Sequence, residues 1–419
     1  MNSRERVLAT INHKQPDRVP IDIGGTNQSG ISASTLYKLR EALGLEKKEI
    51  EICSLFQMLG NVDEDLRDKL GIDTIGLFNP SDSISGRNSI TQPLIMCDGT
   101  PTKIFDTTAY DKLADGSFVI YPQGDKSVKP SMKMPSNGFF FDTIDRSKDF
   151  DEENLTPLED YKDSFYRMTE GAAQYFARKS KELFENTSYA VIGNLGGGGL
   201  GDVATIPAPN EKHPKGIRKI EDWLMAHILY PEYITEVFKL QTEVMLYNLK
   251  MYHQAVGDNI QIVCISGTDF GTQNGEFIDP NLFRKLYKPF YTQINDWVHK
   301  NTNWKTFYHS CGSVVGFLDD FVDMGVDILN PVQLSAKGMD AHMLKEKYGN
   351  KLVFWGGGVD TQETLPFGTP EQVKKQVLER LEILSSEGGY VFNTIHNIVA
   401  KTPVENLLAM FEAIEQFNK

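Results

Sequence analysis

Trp304-Lys305-Thr306-Phe307-Tyr308-His309-Ser310-Cys311-Gly312 is the stretch from which the fold can be read. Bulky residues alternate from Trp304 to Tyr308 as they do in a strand. Gly312 then opens a segment, Val314 to Met324, in which Val315, Phe317, Leu318, Phe321 and Val322 recur at helical spacing. His309 and Cys311 therefore sit where a strand ends and a helix begins. In extended backbone, residues two apart point the same way, so both can face one metal ion or one substrate.

The same strand, loop and helix pattern recurs on both sides of this stretch. Strands are expected at Tyr189–Ile192, Gln261–Ile265, Ile328–Leu329, Leu352–Trp355 and Tyr390–Phe392, with a strand entry at Gly71–Ile75. Three helix starts carry a capping side chain before a proline: Asp279-Pro280, Thr369-Pro370 and Thr402-Pro403. Gln372 and Glu405 stand where a capping box needs them. Repeated units of this kind imply a parallel sheet, and their number suggests a closed (β/α)8 TIM barrel forming one domain over 1–419. An open doubly wound sheet is the alternative, but no G-x-G-x-x-G fingerprint follows an early strand.

Toward the N-terminus, helices are expected at Ser3–Ile11, Ala33–Leu43, Gln57–Leu70 and Tyr161–Phe184. Between the last two, Ser117–Tyr121 and Ser131–Met134 alternate between turn sequences, so 90–145 reads as an antiparallel hairpin insertion in the N-terminal third.

Composition narrows the function. With 40% hydrophobic and 24% charged residues the 419-residue chain can bury a sizeable core. A net charge of -14 disfavours nucleic acid and anionic membrane surfaces as partners, leaving a small molecule or another protein. The absence of a bilayer-length apolar run, and of an apolar core in Met1–Arg6, gives a cytoplasmic expectation. Cys53, Cys97, Cys264 and Cys311 are too scattered for a disulfide framework, so a cysteine that matters is a ligand or nucleophile. A homodimer is the base-rate expectation for the assembly.

In a barrel the reacting groups lie on loops at the carboxyl ends of the strands. The third candidate ligand is His396, just past the final strand. A His/Cys/His set with an open fourth position is the pattern of a catalytic zinc. Asp269 and Gln273 follow the Gln261–Ile265 strand and are the candidate catalytic residues; Asp269 can orient a substrate, donate a proton or cap its own turn. Gln333 can face the metal, support a ligand histidine or cap the next helix. The glycine runs 196–199 and 356–358 offer room for a bulky ligand or tight turns, and neither continues into a P-loop.

Taken together, Asp17-Arg18-Val19-Pro20 with Gly24-Gly25-Thr26, Gly271-Thr272-Gln273, His309-Ser310-Cys311-Gly312, Gly325–Pro331, Phe354–Gly358, Gly388–Phe392 and Thr402–Asn406 resemble the uroporphyrinogen decarboxylase superfamily. Within it the chain is similar to the corrinoid-dependent zinc methyltransferases. The resemblance implies a (β/α)8 barrel, zinc at His309, Cys311 and His396, a corrinoid (cobalamin) carried by a partner protein, and a small methylated substrate. It also implies substrate contacts at Gln333, Trp355, Gly24 and Asn397.

Two departures from the family pattern matter. The decarboxylases grip their substrate's carboxylates with an arginine-rich N-terminal segment, where this chain has Ile21-Asp22-Ile23-Gly24-Gly25 and only Arg18 nearby. The zinc methyltransferases carry a cysteine in a Gly-Cys-Gly loop where this chain reads Ile395-His396-Asn397. One thiolate fewer leaves a less negative zinc that is a stronger Lewis acid, suited to an ether oxygen, and an aromatic O-methyl ether is the expected donor. The alternatives are a metal-free carboxy-lyase using Asp269, and a non-catalytic corrinoid- or ligand-binding protein.

Overall fold

Seven short parallel strands, each beside its successor in sequence, form the centre of the computed structural model, which describes residues 1–79, 91–105 and 108–419. They are β1 (Thr74–Leu77), β2 (Ala190–Gly193), β3 (Ile262–Ser266), β4 (Lys305–His309), β5 (Ile328–Asn330), β6 (Val353–Trp355) and β7 (Tyr390–Val391). Six lie within a residue of their expected places, and β1 begins three residues after the expected entry at Gly71. Both faces of the strands are buried: helices cover one and the curl of the sheet encloses the other, so apolar residues run almost without interruption.

Side chains alternate across each strand, and this alternation separates two cores. Phe307, Ile328, Val353, Trp355 and Val391 point inward and pack with Ala190, Ile192 and Ile262. Val7 and Ile11 of the first helix, Ser3–Ile11, close one end of this inner layer. The opposite faces, with Val191, Val263, Tyr308, Leu329, Phe354 and Tyr390, join the larger core beneath the surrounding helices.

The two edge strands are linked by the segment around Ile21. Asp22 N–H donates to Phe392 O at 2.9 Å, Phe392 N–H donates to Pro20 O at 2.8 Å, and Asp73 N–H donates to Ile21 O at 2.8 Å. The architecture is α/β with a curled parallel sheet, consistent with a TIM-like barrel.

Residues 90–145 are less unified than expected. Ile90, Asp106 and Thr107 lie outside the described residues. Strands Thr91–Ile95 and Pro101–Phe105 do form a hairpin, but the second pairs in parallel with Ile50–Ser54, so this half belongs to a sheet begun forty residues earlier. The other half is a four-stranded antiparallel meander, Tyr110–Lys112, Phe118–Ile120, Met132–Met134 and Asp142–Thr143.

Two expected helices are shorter. The Gln57–Leu70 pattern gives a helix only over Glu64–Leu70, because Leu59–Gly60 pairs with the Ile50–Ser54 strand. Gly60 is required there, since a Cβ would lie 2.5 Å from Ile50 Cγ2 and 2.6 Å from Leu36 Cδ2. Tyr161–Phe184 splits into Pro157–Tyr161 and Glu170–Asn186. Asn248 accepts from Met168 N–H at 2.7 Å, and Thr169 then caps a new helix by accepting from Ala172 N–H.

The caps divide similarly. Asp279 accepts from the N–H groups of Asn281 and Leu282, and Thr369 with Gln372 forms a full capping box. Thr402 does not cap: its hydroxyl donates to Val399 O and Pro403 occupies the cap position of Val404–Phe417. Thr369→Ala is therefore expected to cost about 1 kcal/mol in denaturant unfolding, whereas Thr402→Ala should not show a capping loss; an equal loss from both would contradict these assignments.

Candidate metal centre

His309 is the last residue of β4 and continues the inward-facing series after Phe307. It is paired in register with Asn330, the last residue of β5. Asn330 Nδ2 donates to Trp355 O on β6 at 2.8 Å, which fixes the amide so that its oxygen faces His309 Nδ1 at 2.6 Å. An acceptor there assigns the proton to Nδ1 and leaves Nε2 with a free lone pair, the arrangement a metal-binding histidine needs. The signal in the sequence was an asparagine directly after a strand and level with the histidine, and the sequence reading passed over it.

Beyond the strand, Ser310 and Cys311 turn through Gly312, whose φ of 85° only glycine adopts without strain. A Cβ on Gly312 would also meet the Gly271 carbonyl carbon at 2.3 Å. This close approach of the β3 and β4 loops brings Asp269 to the site. Asp269 Oδ1 accepts from Cys311 N–H at 2.7 Å and lies 3.6 Å from His309 Nε2. Gln333 Oε1 accepts from Gly312 N–H at 2.7 Å, so the buried Gln333 holds the loop carrying Cys311.

The third residue arrives from the loop after β7. His309, Cys311 and His396 each offer a ligand atom, and all three atoms lie within 4.8 Å of one another. Cys311 Sγ is 3.3 Å from His309 Nε2, and the two imidazole rings are 5.5 Å apart, nearly edge to face. Zinc bonds of about 2.0–2.3 Å in tetrahedral geometry separate ligands by roughly 3.3–3.8 Å, so the set fits an ion after a shift of about an ångström. Burial and the neighbouring His309 lower His396 to about 4, so its imidazole is neutral with a lone pair to give. Burial, and then the Asp269 charge, push the Cys311 thiol well above its usual range. It becomes a ligand only by losing its proton to a cation.

The remaining sequence candidates fall elsewhere. Gln273 is exposed, with its amide bonded to Gln362 rather than turned toward the three ligands. Trp355 is wholly buried in the inner layer, edge to face with Phe307, and its indole N–H donates to Asp22 Oδ2 at 2.8 Å. Gly24 packs against Val62, where a Cβ would be 2.7 Å from Cγ2. Asn397 ties two loops, accepting from Gly30 N–H and donating to Gln57 Oε1, both at 2.7 Å. These last three positions are packing and tethering contacts beneath or beside the site.

All three candidate ligands, with Asp269, Asn330 and Gln333, lie in residues 214–417, which match the model of the uroporphyrinogen decarboxylase (URO-D) family. That stretch is just under half of the chain. Over 110 residues it is 31% identical to the uroporphyrinogen decarboxylase of a Nitratiruptor species, a match spanning 25% of this chain and 28% of that relative. A methyltransferase from Methanosarcina mazei superposes over 100% of both chains with a TM-score of 0.56 and 16% sequence identity, a likeness of fold.

Asn330 offers a test that leaves the three candidate ligands untouched. Asn330→Ala is expected to weaken zinc binding by about 10–100-fold, the usual effect of losing the partner of a ligating histidine. Competition against a chromophoric chelator reads this directly; an unchanged affinity would mean that the amide does not orient His309.

Proposed function

We propose that the protein is a methyltransferase that moves a methyl group from a small methylated donor to the Co(I) of a corrinoid carried by a partner protein, using zinc at His309, Cys311 and His396. The observation that carries this reading is the convergence of those three ligand atoms within 4.8 Å, with His309 Nδ1 already committed to Asn330. A zinc ion there supplies Lewis acidity toward the donor's oxygen, for which an aromatic O-methyl ether is the best-suited class. The protein's own residues do the rest. Asp269 fixes the Cys311 backbone and stands at 3.6 Å from His309 Nε2, placed to orient the donor or to deliver a proton to the departing oxygen. Gln333 holds the Cys311 turn in place.

The curled sheet fits this reading as a (β/α)8 barrel in which the Pro20–Asp22 segment takes the eighth strand position, so the three ligands share one mouth. A second reading, a metal-free carboxy-lyase, draws on the decarboxylase relative. Against it, Arg18 is already engaged: its guanidinium donates twice to Asp73, at 2.9 Å each, and to Gly71 O at 3.1 Å, which removes the one arginine expected near the mouth.

Zinc content, together with methyl transfer to reduced cobalamin from a panel of methyl ethers and methylamines, tests the proposal. Stoichiometric zinc and one active donor class are expected. Release of carbon dioxide from a tetrapyrrole without cobalamin would overturn it, as would a complete lack of zinc.

A further inference from the structure

A cleft of about 740 Å³ opens at the carboxyl ends of β2 and β3. None of the three candidate metal ligands lines it. One wall is the loop Gly196–Gly199, and others come from helix Pro231–Val256, the 162–169 break between helices, the 53–56 segment and the loop that carries Asp202. Its apolar lining includes Phe56, Phe165, Met168 and Met245, the flat and polarisable surface an aromatic ring packs against. Its size is that of a small-molecule site.

Of the charged groups that line the cleft, Arg218 and Glu211 pair with each other, while Arg167 and Asp202 have no ion-pair partner among the described residues. Arg218 pairs with Glu211 at 3.2 Å, and Arg167 lies over the Tyr247 ring at 5.0 Å. Asp202 is different: Oδ1 accepts from Ala204 N–H at 3.0 Å, while Oδ2 has no hydrogen-bond partner among the described residues. Burial raises its carboxyl to about 6, and the charge of nearby Asp269 adds to the rise. Asp269 in turn touches the metal centre through His309 Nε2. Asp202 thus lines the cleft with one oxygen to offer, near enough to Asp269 for the two charges to interact.

We propose that this cleft binds an aromatic molecule carrying a hydroxyl group, and that Asp202 is the specificity-determining residue that accepts a hydrogen bond from that hydroxyl. The proposal deepens the methyltransferase reading and rests on it for the identification of the ligand as the methyl donor. A ligand lacking the hydroxyl would leave the carboxylate unpaired in the occupied cleft, and such sites reject the deficient analogue strongly.

Isothermal titration with 2-methoxyphenol and with methoxybenzene decides it. Wild-type protein is expected to bind 2-methoxyphenol, and methoxybenzene at least about tenfold more weakly. Asp202→Ala should erase that preference and Asp202→Asn, which keeps an acceptor oxygen, should restore part of it. Both variants are checked for an unchanged unfolding midpoint. The His309→Ala, Cys311→Ala protein should keep the preference, because neither residue lines the cleft. Equal affinity of wild type for the two probes overturns the proposal, as does a preference that survives Asp202→Ala or a failure of wild type to bind either. Binding with the expected preference but without methyl transfer upholds the cleft and removes only the methyltransferase reading.

Discussion

Wild type is expected to carry one zinc per chain, and the His309→Ala, Cys311→Ala double variant to carry almost none and to lose methyl transfer by roughly a thousandfold or more. The magnitude follows from the ligand count. Three protein ligands with an open position suffice to hold a catalytic zinc, and a single histidine does not. His309 and Cys311 also form the close pair, 3.3 Å between Nε2 and Sγ, while His396 comes from a separate loop. His396→Cys is the informative companion: zinc should stay, because thiolate is an excellent ligand, but transfer from an ether should slow as the added negative charge weakens the Lewis acid. Metal analysis and single-turnover transfer to reduced cobalamin read both. Full zinc in the double variant would mean that the ion, if any, lies elsewhere.

Asp73→Ala is expected to destabilise the fold by about 3–5 kcal/mol, the usual cost of removing one partner from a buried ion pair. Asp73 is fully buried just before β1 and serves three groups at once. Its carboxylate accepts from Arg6 Nη1 at 2.7 Å, from Arg18 at 2.9 Å and from Ile21 N–H at 2.9 Å. Truncation leaves the nearly buried Arg6 with only the half-exposed Asp17, and frees the segment that links β1 to β7. Denaturant unfolding measures the loss. Because the site lies on the other strands, zinc content of the protein that remains folded should be unchanged; a loss below 1 kcal/mol would show that the Ile21 segment is held by its backbone bonds alone.

What could be read from the sequence was whatever local periodicity and strand-end position determine. His309, Cys311 and His396 were found because each follows an apolar run that could only be a strand, and the structure brings them together. Gln273 was placed by strand-end position and Trp355 by motif, neither by side-chain direction, and the two turned away for different reasons. Gln273 sits at an exposed loop tip, while the alternation of β6 drives Trp355 inward. Asn330 was missed because an Asn-Pro pair reads as a turn, although its register with His309 makes it a support. The pairing of Ile50–Ser54 with Pro101–Phe105 depends on a contact across some fifty residues that no local pattern announces. The break at 162–169 is likewise set by Asn248, a residue on another helix.

Gly198 limits how such a cleft can change. A Cβ there would lie 1.8 Å from the Ile265 carbonyl oxygen, and Gln241 pins the flanking carbonyls of Gly197 and Gly199 at 2.9 and 3.1 Å. One wall of the cleft is therefore bare main chain seated on the end of β3, with nothing that a substitution could lengthen, shorten or recharge. Divergence toward a new ligand, in nature or by design, has to be written on the other walls, Asp202, the helix Pro231–Val256 and the 162–169 break among them, while the wall against the sheet stays the same for every ligand the scaffold accepts.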